Sequence, residues 1–410
     1  MKYINTPPPT ISGNLHIGHI FSYTHIDTIA RAQKYLGNKI YFPIGFDCNG
    51  LPTENLLRKS DKPINEYCED YLKLFKKMGF QMDFDNYYKT INFNVLPIFN
   101  ELKNRGLIYK ATKEVWFDTA LNTPLSNSEV IEKNGDMIGE VSKKLVIKKE
   151  TEQYFLKTVE FKKRLLELAN KIEFYPCSMK TKLIVWIENL KEDWCITRNR
   201  EFGIKIEDKV FDTWFISALT HCKYSKQSDY HFQSHEIIRS WCFYSLVMSM
   251  HLNNDMPFKK VFISGWCLAK DGEKFSKSSG NGLDPLKLID KYGVNPIRFW
   301  ACKANWGTDT YFDENVVLNG RKLIVKLENA QRFFELKNAI EIDIDFIDNV
   351  FIDLLKNYDI SGSLNHLYKQ FFLFCGKDIE ECKTANQDFI NQKYSILLSY
   401  KKAFDIFINN

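Results

Sequence analysis

Long apolar runs are missing from this 410-residue sequence. No stretch approaches the roughly 20 residues that a helical membrane span requires, so a membrane-spanning protein is not expected. The ten cysteines form no CxxC pair, which leaves neither a zinc knuckle nor a dithiol redox motif. They are expected mostly as small buried apolar residues. Repeats and low-complexity tracts are also lacking. The opening, Met1 to Asn5, passes straight into Pro7-Pro8-Pro9, unlike a secretory signal, and a cytoplasmic protein is the default. Charge of one sign is not in large excess: Lys and Arg number 56 against 51 Asp and Glu, a formal +5, which is compatible with nucleic acid without requiring it. Lysine clusters at 143–144, 148–149 and 162–164 read first as solvated faces. What remains is 44% hydrophobic and 26% charged, as in globular proteins, at a length suited to two or three packed units.

Residues 39–44 and 260–264 are short apolar stretches flanked by Gly or Pro and read as buried strands. Helical patterns run near 20–36 and 236–252. Strands alternating with helices indicate an α/β class with a largely parallel sheet. From about residue 320 the strand signal fades and helices are expected.

Two segments carry chemistry. In residues 6–19 a proline run and Gly13 precede a helix expected to begin near Leu15, whose N-terminal amides would face the strand ends where α/β sheets bind ligands. His16 and His19 are three apart and so share a helix face. They can donate to phosphate oxygens whose charge grows in a displacement, or they can be two satisfied helix histidines. Residues 271–281 form a polar, glycine-containing loop with Lys274 and Lys277. It can close over a triphosphate, or it can be an ordinary charged loop. Each segment taken alone favours the plainer alternative.

Taken together and in this order, His16-Ile17-Gly18-His19 and Lys274-Phe275-Ser276-Lys277-Ser278 resemble the two signatures of the class I aminoacyl-tRNA synthetases, with Phe275 where Met is usual. The resemblance spans about residues 3–330 and is sharpest to the valyl enzymes, through residues 7–13, 45–54, 193–198, 211–215 and 236–241. It implies a Rossmann-like parallel-sheet catalytic domain that activates valine with ATP and Mg2+ and passes it to the acceptor end of valine tRNA. Carried over residue by residue, it implies His16, His19, Lys274 and Lys277 as catalytic. Gly18, Gly265, Trp266, Ser276 and Ser278 would bind ATP. Pro8, Pro9, Asp47, Trp214, Ile237 and Trp241 would hold the amino acid, with Asp47 facing its ammonium as a charge-assisted partner. No metal-ligating side chains are implied, and a monomer is expected.

The implied organisation is a first catalytic half (1–110), a reduced connective insertion (111–205), a second half (206–285), a stem-contact region (286–330) and a shortened helical domain (331–410). Only about two dozen residues lie between the approach to the family's editing insertion, 125–130, and its exit, 153–157, too few for a domain. Editing is therefore expected to be missing. A valine-shaped pocket then rejects threonine weakly, by about 10², the figure known for valyl enzymes themselves. The abbreviated C-terminal region offers no support for anticodon contact. A relative that delivers its aminoacyl group to a carrier protein or peptide instead of tRNA is the alternative, and a non-catalytic module fits poorly because both histidines and both loop lysines are retained.

Overall fold

The computed structural model describes residues 1–125, 129–139, 142–224, 227–269, 272, 283–344 and 349–409. Its centre is a five-stranded sheet in the order Glu173–Tyr175, Phe258–Ser264, Ser228–Ser234, Lys2–Asn5 and Ile40–Tyr41, with every pairing parallel. Helix Ile17–Tyr35 connects Lys2–Asn5 to Ile40–Tyr41, and helix Phe243–Asn253 connects Ser228–Ser234 to Phe258–Ser264. The three inner strands, Lys2–Asn5, Ser228–Ser234 and Phe258–Ser264, are buried at most positions on both faces, as helix-covered parallel strands are. The α/β class is therefore the observed one.

The strand expected over 39–44 is divided. Ile40–Tyr41 joins the central sheet, while Pro43–Phe46 pairs with Asp83–Lys89 in a separate parallel ribbon. Pro43 has no N–H to give to a ladder, and the chain changes partners there. The helix expected over 236–252 is also irregular at its start. A 3-10 turn at His235–Ile237 leads into a π-helical turn at Ile238–Cys242 before the regular helix begins.

In the sequence, an antiparallel unit is inserted between the strands Ile40–Tyr41 and Ser228–Ser234 of the central sheet. Ile108–Asp118 pairs with Ile147–Leu156 over ten positions, flanked by Trp194–Cys195 and Thr123–Leu125. At its tip, Val130–Lys133 and Asp136–Gly139 form a hairpin turned by Asn134 and Gly135, both at positive φ (54° and 87°), the Asn-Gly pair that such two-residue turns favour. One part of the span expected as insertion belongs elsewhere: Glu173–Tyr175 is the outer strand of the central sheet.

Beyond residue 283 the described chain is mostly helical, with Pro285–Tyr292, Val294–Cys302, Glu314–Leu336, Asn349–Lys356, Ile360–Glu381 and Gln387–Phe404, apart from the short strand Thr310–Tyr311 that pairs with Cys267–Leu268. Glu314–Leu336 runs unbroken through the boundary expected at 330. These helices share one apolar core with the first half of the sheet, Ile17 and Phe21 lying in the same cluster as Phe334, Phe371 and Phe407. A buried ionic knot ties them further. Asp27, fully buried, accepts from Arg31 (2.8 Å) and Arg298 (2.7 Å), and its other oxygen accepts from the Gln81 amide (2.7 Å). The two guanidiniums also donate to the carbonyls of Asp405 and Phe407. Among the described residues no helix is long and apolar enough to cross a membrane.

Candidate functional site

At the carboxyl end of the central sheet, residues after strand Lys2–Asn5 turn away through Pro7-Pro8-Pro9 and return into helix Ile17–Tyr35. His16 is the N-cap of that helix. Its Nδ1 accepts from the Gly18 amide (3.2 Å), and His19 Nδ1 accepts from the His16 amide (3.2 Å). Each imidazole thus satisfies a backbone donor that a helix start leaves orphaned. An accepting Nδ1 puts the proton of the neutral ring on Nε2, so both rings carry a donor on the nitrogen remote from the backbone. The rings lie 4.1 Å apart. A Cβ on Gly18 would come within 2.9 Å of the His16 ring, so the glycine keeps room for that imidazole.

Asp47 follows strand Pro43–Phe46 and is joined to the proline loop by backbone bonds, its N–H to the Pro9 carbonyl and its carbonyl to the Ile11 amide. Its buried carboxylate accepts from Thr90 Oγ1 (3.0 Å), from Thr213 Oγ1 (3.0 and 3.1 Å) and from the Asn49 amide (3.2 Å). Desolvation raises its pKa to about 6, with the three donors pulling the other way. All three are neutral. Such a group lacks the full positive charge that would offset burial, and a ligand cation could supply it.

The opposite wall is built by helix Thr213–Ser217 and the irregular helical start at 235–242. Asp212 caps the first, accepting from the Trp214 amide (3.3 Å), and its second oxygen meets the buried Arg198 guanidinium (3.1 Å). The π-helical turn carries Trp241, whose indole N–H donates to the Ser217 carbonyl (3.0 Å). Gly265 and Trp266 follow strand Phe258–Ser264. A Cβ on Gly265 would meet the Thr308 carbonyl oxygen at 2.1 Å, so only glycine allows this strand end to lie against residues 308–309. Trp266 is held by its amide to Asp309 (2.7 Å) and its indole to Glu236 (3.0 Å).

These walls enclose a cleft of about 330 Å3. Pro8, Pro9, His16, Gly18, His19, Asp47, Trp214, Ile237, Trp241, Gly265 and Trp266 all line it, so every expected site residue within the described residues meets there. Lys274, Ser276, Lys277 and Ser278 lie outside the described residues. Among the described residues, the cleft also contains side chains that sequence reading missed. Tyr23 donates to the Pro7 carbonyl (2.7 Å), and Ser22 meets Ser264 (3.2 Å). Tyr23 was findable, being one helical turn after His19. Glu236 was findable as the neighbour of Ile237. Ser217 gave no signal, because only the fold brings it to Trp241.

The chain is similar to known proteins in sequence and in fold. The family described as tRNA synthetases class I (I, L, M and V) matches residues 2–208 and 204–313. The valine–tRNA ligase of Ehrlichia canis (strain Jake) is 27% identical over 547 residues, covering 81% of this chain and 68% of the relative. That of Rickettsia prowazekii (strain Madrid E) is 26% identical over 652 residues, covering 97% and 80%. In fold, the chain is similar to a Mycobacterium tuberculosis methionyl-tRNA synthetase in complex with methionyl-adenylate (TM-score 0.80, 18% identity, 99% and 91% covered). It is also similar to an Agrobacterium radiobacter K84 LeuRS in a ternary complex with tRNA and LeuAMS (TM-score 0.83, 16% identity, 99% and 83% covered).

Proposed function

The chain belongs to the class I tRNA synthetases of the I, L, M and V group, and from that membership we propose that this aminoacyl-tRNA ligase uses ATP to join valine to tRNA. The observation that carries the reading is the meeting, in one cleft, of two Nε2–H imidazoles at a helix N-terminus with an uncompensated buried carboxylate and an apolar wall. Valine's ammonium lies at Asp47 and its branched side chain lies against Pro8, Pro9, Trp214, Ile237 and Trp241. The rigid rings of this wall exclude larger side chains by volume. ATP lies along Gly18, Gly265 and Trp266, with its phosphates at His16 and His19.

A valine carboxylate oxygen then forms a bond to the α-phosphorus while the bond to the β-phosphate oxygen breaks, leaving valyl-adenylate and pyrophosphate. His16 and His19 donate to the oxygens on which charge grows, and Lys274 and Lys277, which follow Trp266 in the sequence, neutralise the departing pyrophosphate. The carboxylates lining the cleft, among the described residues, are Asp47 and Glu236. Mg2+ would be held chiefly by the triphosphate oxygens and would offset the charge of the phosphates. In the second step a terminal ribose hydroxyl attacks the adenylate carbonyl and AMP leaves. A groove of about 900 Å3 supports RNA as the acceptor. It shares Glu236 and Trp266 with the cleft and is lined by Lys143, Lys182 and Arg239, the last stacked 5.4 Å over Trp186. Cations interleaved with an aromatic plane suit single-stranded nucleic acid.

Editing is proposed to be absent. The match to the Ehrlichia canis enzyme spreads 81% of this chain over 547 aligned residues, so on the order of 200 positions have no counterpart here, a domain's length. One experiment tests activity and editing together: amino-acid-dependent pyrophosphate exchange, followed by charging of valine tRNA. Valine should be activated best, and threonine should be disfavoured by only about 10² and accumulate on tRNA. Threonine discrimination in exchange far above about 10³ would sink the expectation of threonyl-adenylate, and hydrolysis of threonyl-tRNA in place of its accumulation would sink the editing-free reading. Exchange without charging would shift the acceptor from tRNA to another molecule.

The Asp47 environment sets a pH dependence. Its pKa in the folded protein is raised to about 6, so the unliganded protein gains stability from protonation of this group and loses that contribution as pH rises through 6. Amino-acid binding needs the charged form and runs the opposite way. The KM for valine is expected to be flat above about pH 7 and to rise roughly tenfold per unit below pH 6. Asp47→Asn should raise KM at all pH values and flatten the profile. A wild-type profile with no inflection between pH 5 and 7 would remove Asp47 from the ammonium site.

A further inference from the structure

Trp241 forms part of the cleft wall although it is fully buried, so its indole is set from behind. Directly behind it is His231, on the central strand Ser228–Ser234, with ring centroids 4.2 Å apart and planes 21° from parallel. The other face of the imidazole stacks on Phe258 at 3.9 Å and 27°. All three rings are essentially inaccessible to solvent. The edge of the imidazole is held as well as its faces. Nε2 is 3.1 Å from Gln233 Oε1, and Nδ1 is 3.4 Å from Asn5 Nδ2. Gln233 Oε1 can only accept and Asn5 Nδ2 can only donate, so the ring is fixed as the neutral Nε2–H tautomer. Asn5 sits on the neighbouring strand, directly across from His231 in the parallel register. An aliphatic residue here would fill the volume; a plain aromatic ring would stack without a fixed azimuth. A buried polar ring carries a desolvation cost that a purely packing residue avoids, and what it adds is a defined plane.

We propose that His231 is a positioning residue for amino-acid selection, fixing the plane of Trp241 and thereby the floor of the side-chain pocket. This rests on the reading of the cleft as a site for a small branched amino acid. Burial pushes the His231 pKa down to about 3, so its tautomer and its hold on Trp241 stay constant across the working pH range.

The test is pyrophosphate exchange with valine and isoleucine. His231→Leu should raise the valine KM and cut discrimination against isoleucine, each by about tenfold, the scale of one methylene in a fitted pocket. The KM for ATP should stay within about twofold, since no ATP-lining residue contacts this ring in the proposed pose. His231→Phe keeps the stack but takes away the ring partner of Asn5 Nδ2 and Gln233 Oε1. It should recover only part of the discrimination, since the stack remains without its two holds, while melting lower than the leucine variant or similarly to it. Selectivity would then follow the ring and not the stability. Equal loss of discrimination in both variants, or parallel loss of affinity for ATP and valine, overturns the proposal. If His231→Leu does not fold, Asn5→Ala removes one hold and keeps the ring; unchanged discrimination in that variant also overturns it. Trp241→Phe separates this inference from the reading beneath it. If that variant leaves selectivity unchanged, the pocket assignment fails; if it alters selectivity while His231→Leu does not, the positioning role alone fails.

Discussion

Replacing Asp27 by alanine is expected to destabilise the protein by about 3–5 kcal/mol, because it strips two buried guanidiniums of their shared counter-charge. Arg298 is fully buried and Arg31 nearly so, and each lies within 2.8 Å of one Asp27 oxygen. The carbonyls of Asp405, Gly79, Phe407 and Met78 and the side-chain oxygen of Asn409 accept further protons without balancing the charge. The loss should appear as a lower urea midpoint with an unchanged slope. Residues 405–409 should also exchange their amides faster, since both arginines hold that segment. Asp27→Ala combined with Arg298→Met should recover part of the loss, as buried ion pairs replaced by apolar residues of similar volume often do. A cost below about 1 kcal/mol for the single change would mean that water reaches the knot and screens it.

His19→Ala is expected to lower the rate of pyrophosphate exchange by about 10²–10³, the usual cost of removing one preorganised transition-state donor. Both rings also accept from backbone amides at the helix start, so His19→Ala costs some stability too. At His16, the N-cap itself, a capping replacement is available. Asparagine is a favoured N-cap whose side-chain oxygen can take over the Gly18 amide. His16→Asn should therefore keep the melting temperature close to wild type and lose a comparable factor in kcat. KM for ATP should change little in either variant if the donors act mainly on the charge that develops during displacement. Exchange within threefold of wild type in His19→Ala would remove the imidazole from the reaction.

Local patterns carried much of this molecule, and long-range pairing did not. The helix expected over 20–36 is found at Ile17–Tyr35, with its start displaced from Leu15 because an imidazole performs the capping usually left to Ser, Thr, Asp or Asn. The helical character beyond 320 was visible from the loss of strand signal. Glu173–Tyr175 escaped notice because three residues cannot display a period. The division at Pro43 was readable in principle, since proline cannot donate within a ladder. In the cleft, the signatures located His16, Gly18, His19, Gly265 and Trp266. The side-chain donors that hold Asp47 could not be read: Thr90 and Thr213 are 43 and 166 positions away, and only the closed fold makes them neighbours. The same holds for His231, whose bond to Asn5 spans 226 positions.

The π-helical turn at Ile238–Cys242 bears on which changes this cleft can accumulate. A π turn contains one residue more than an α turn. Deleting a single residue there would restore regular winding and rotate everything upstream by about 100° relative to helix Phe243–Asn253. Glu236 and Ile237 would leave the wall while Trp241 stayed. Side chains in the segment can be exchanged one at a time and their effects graded, but its length cannot. Natural drift and laboratory selection should both meet it as a stretch rich in substitutions and closed to insertions and deletions.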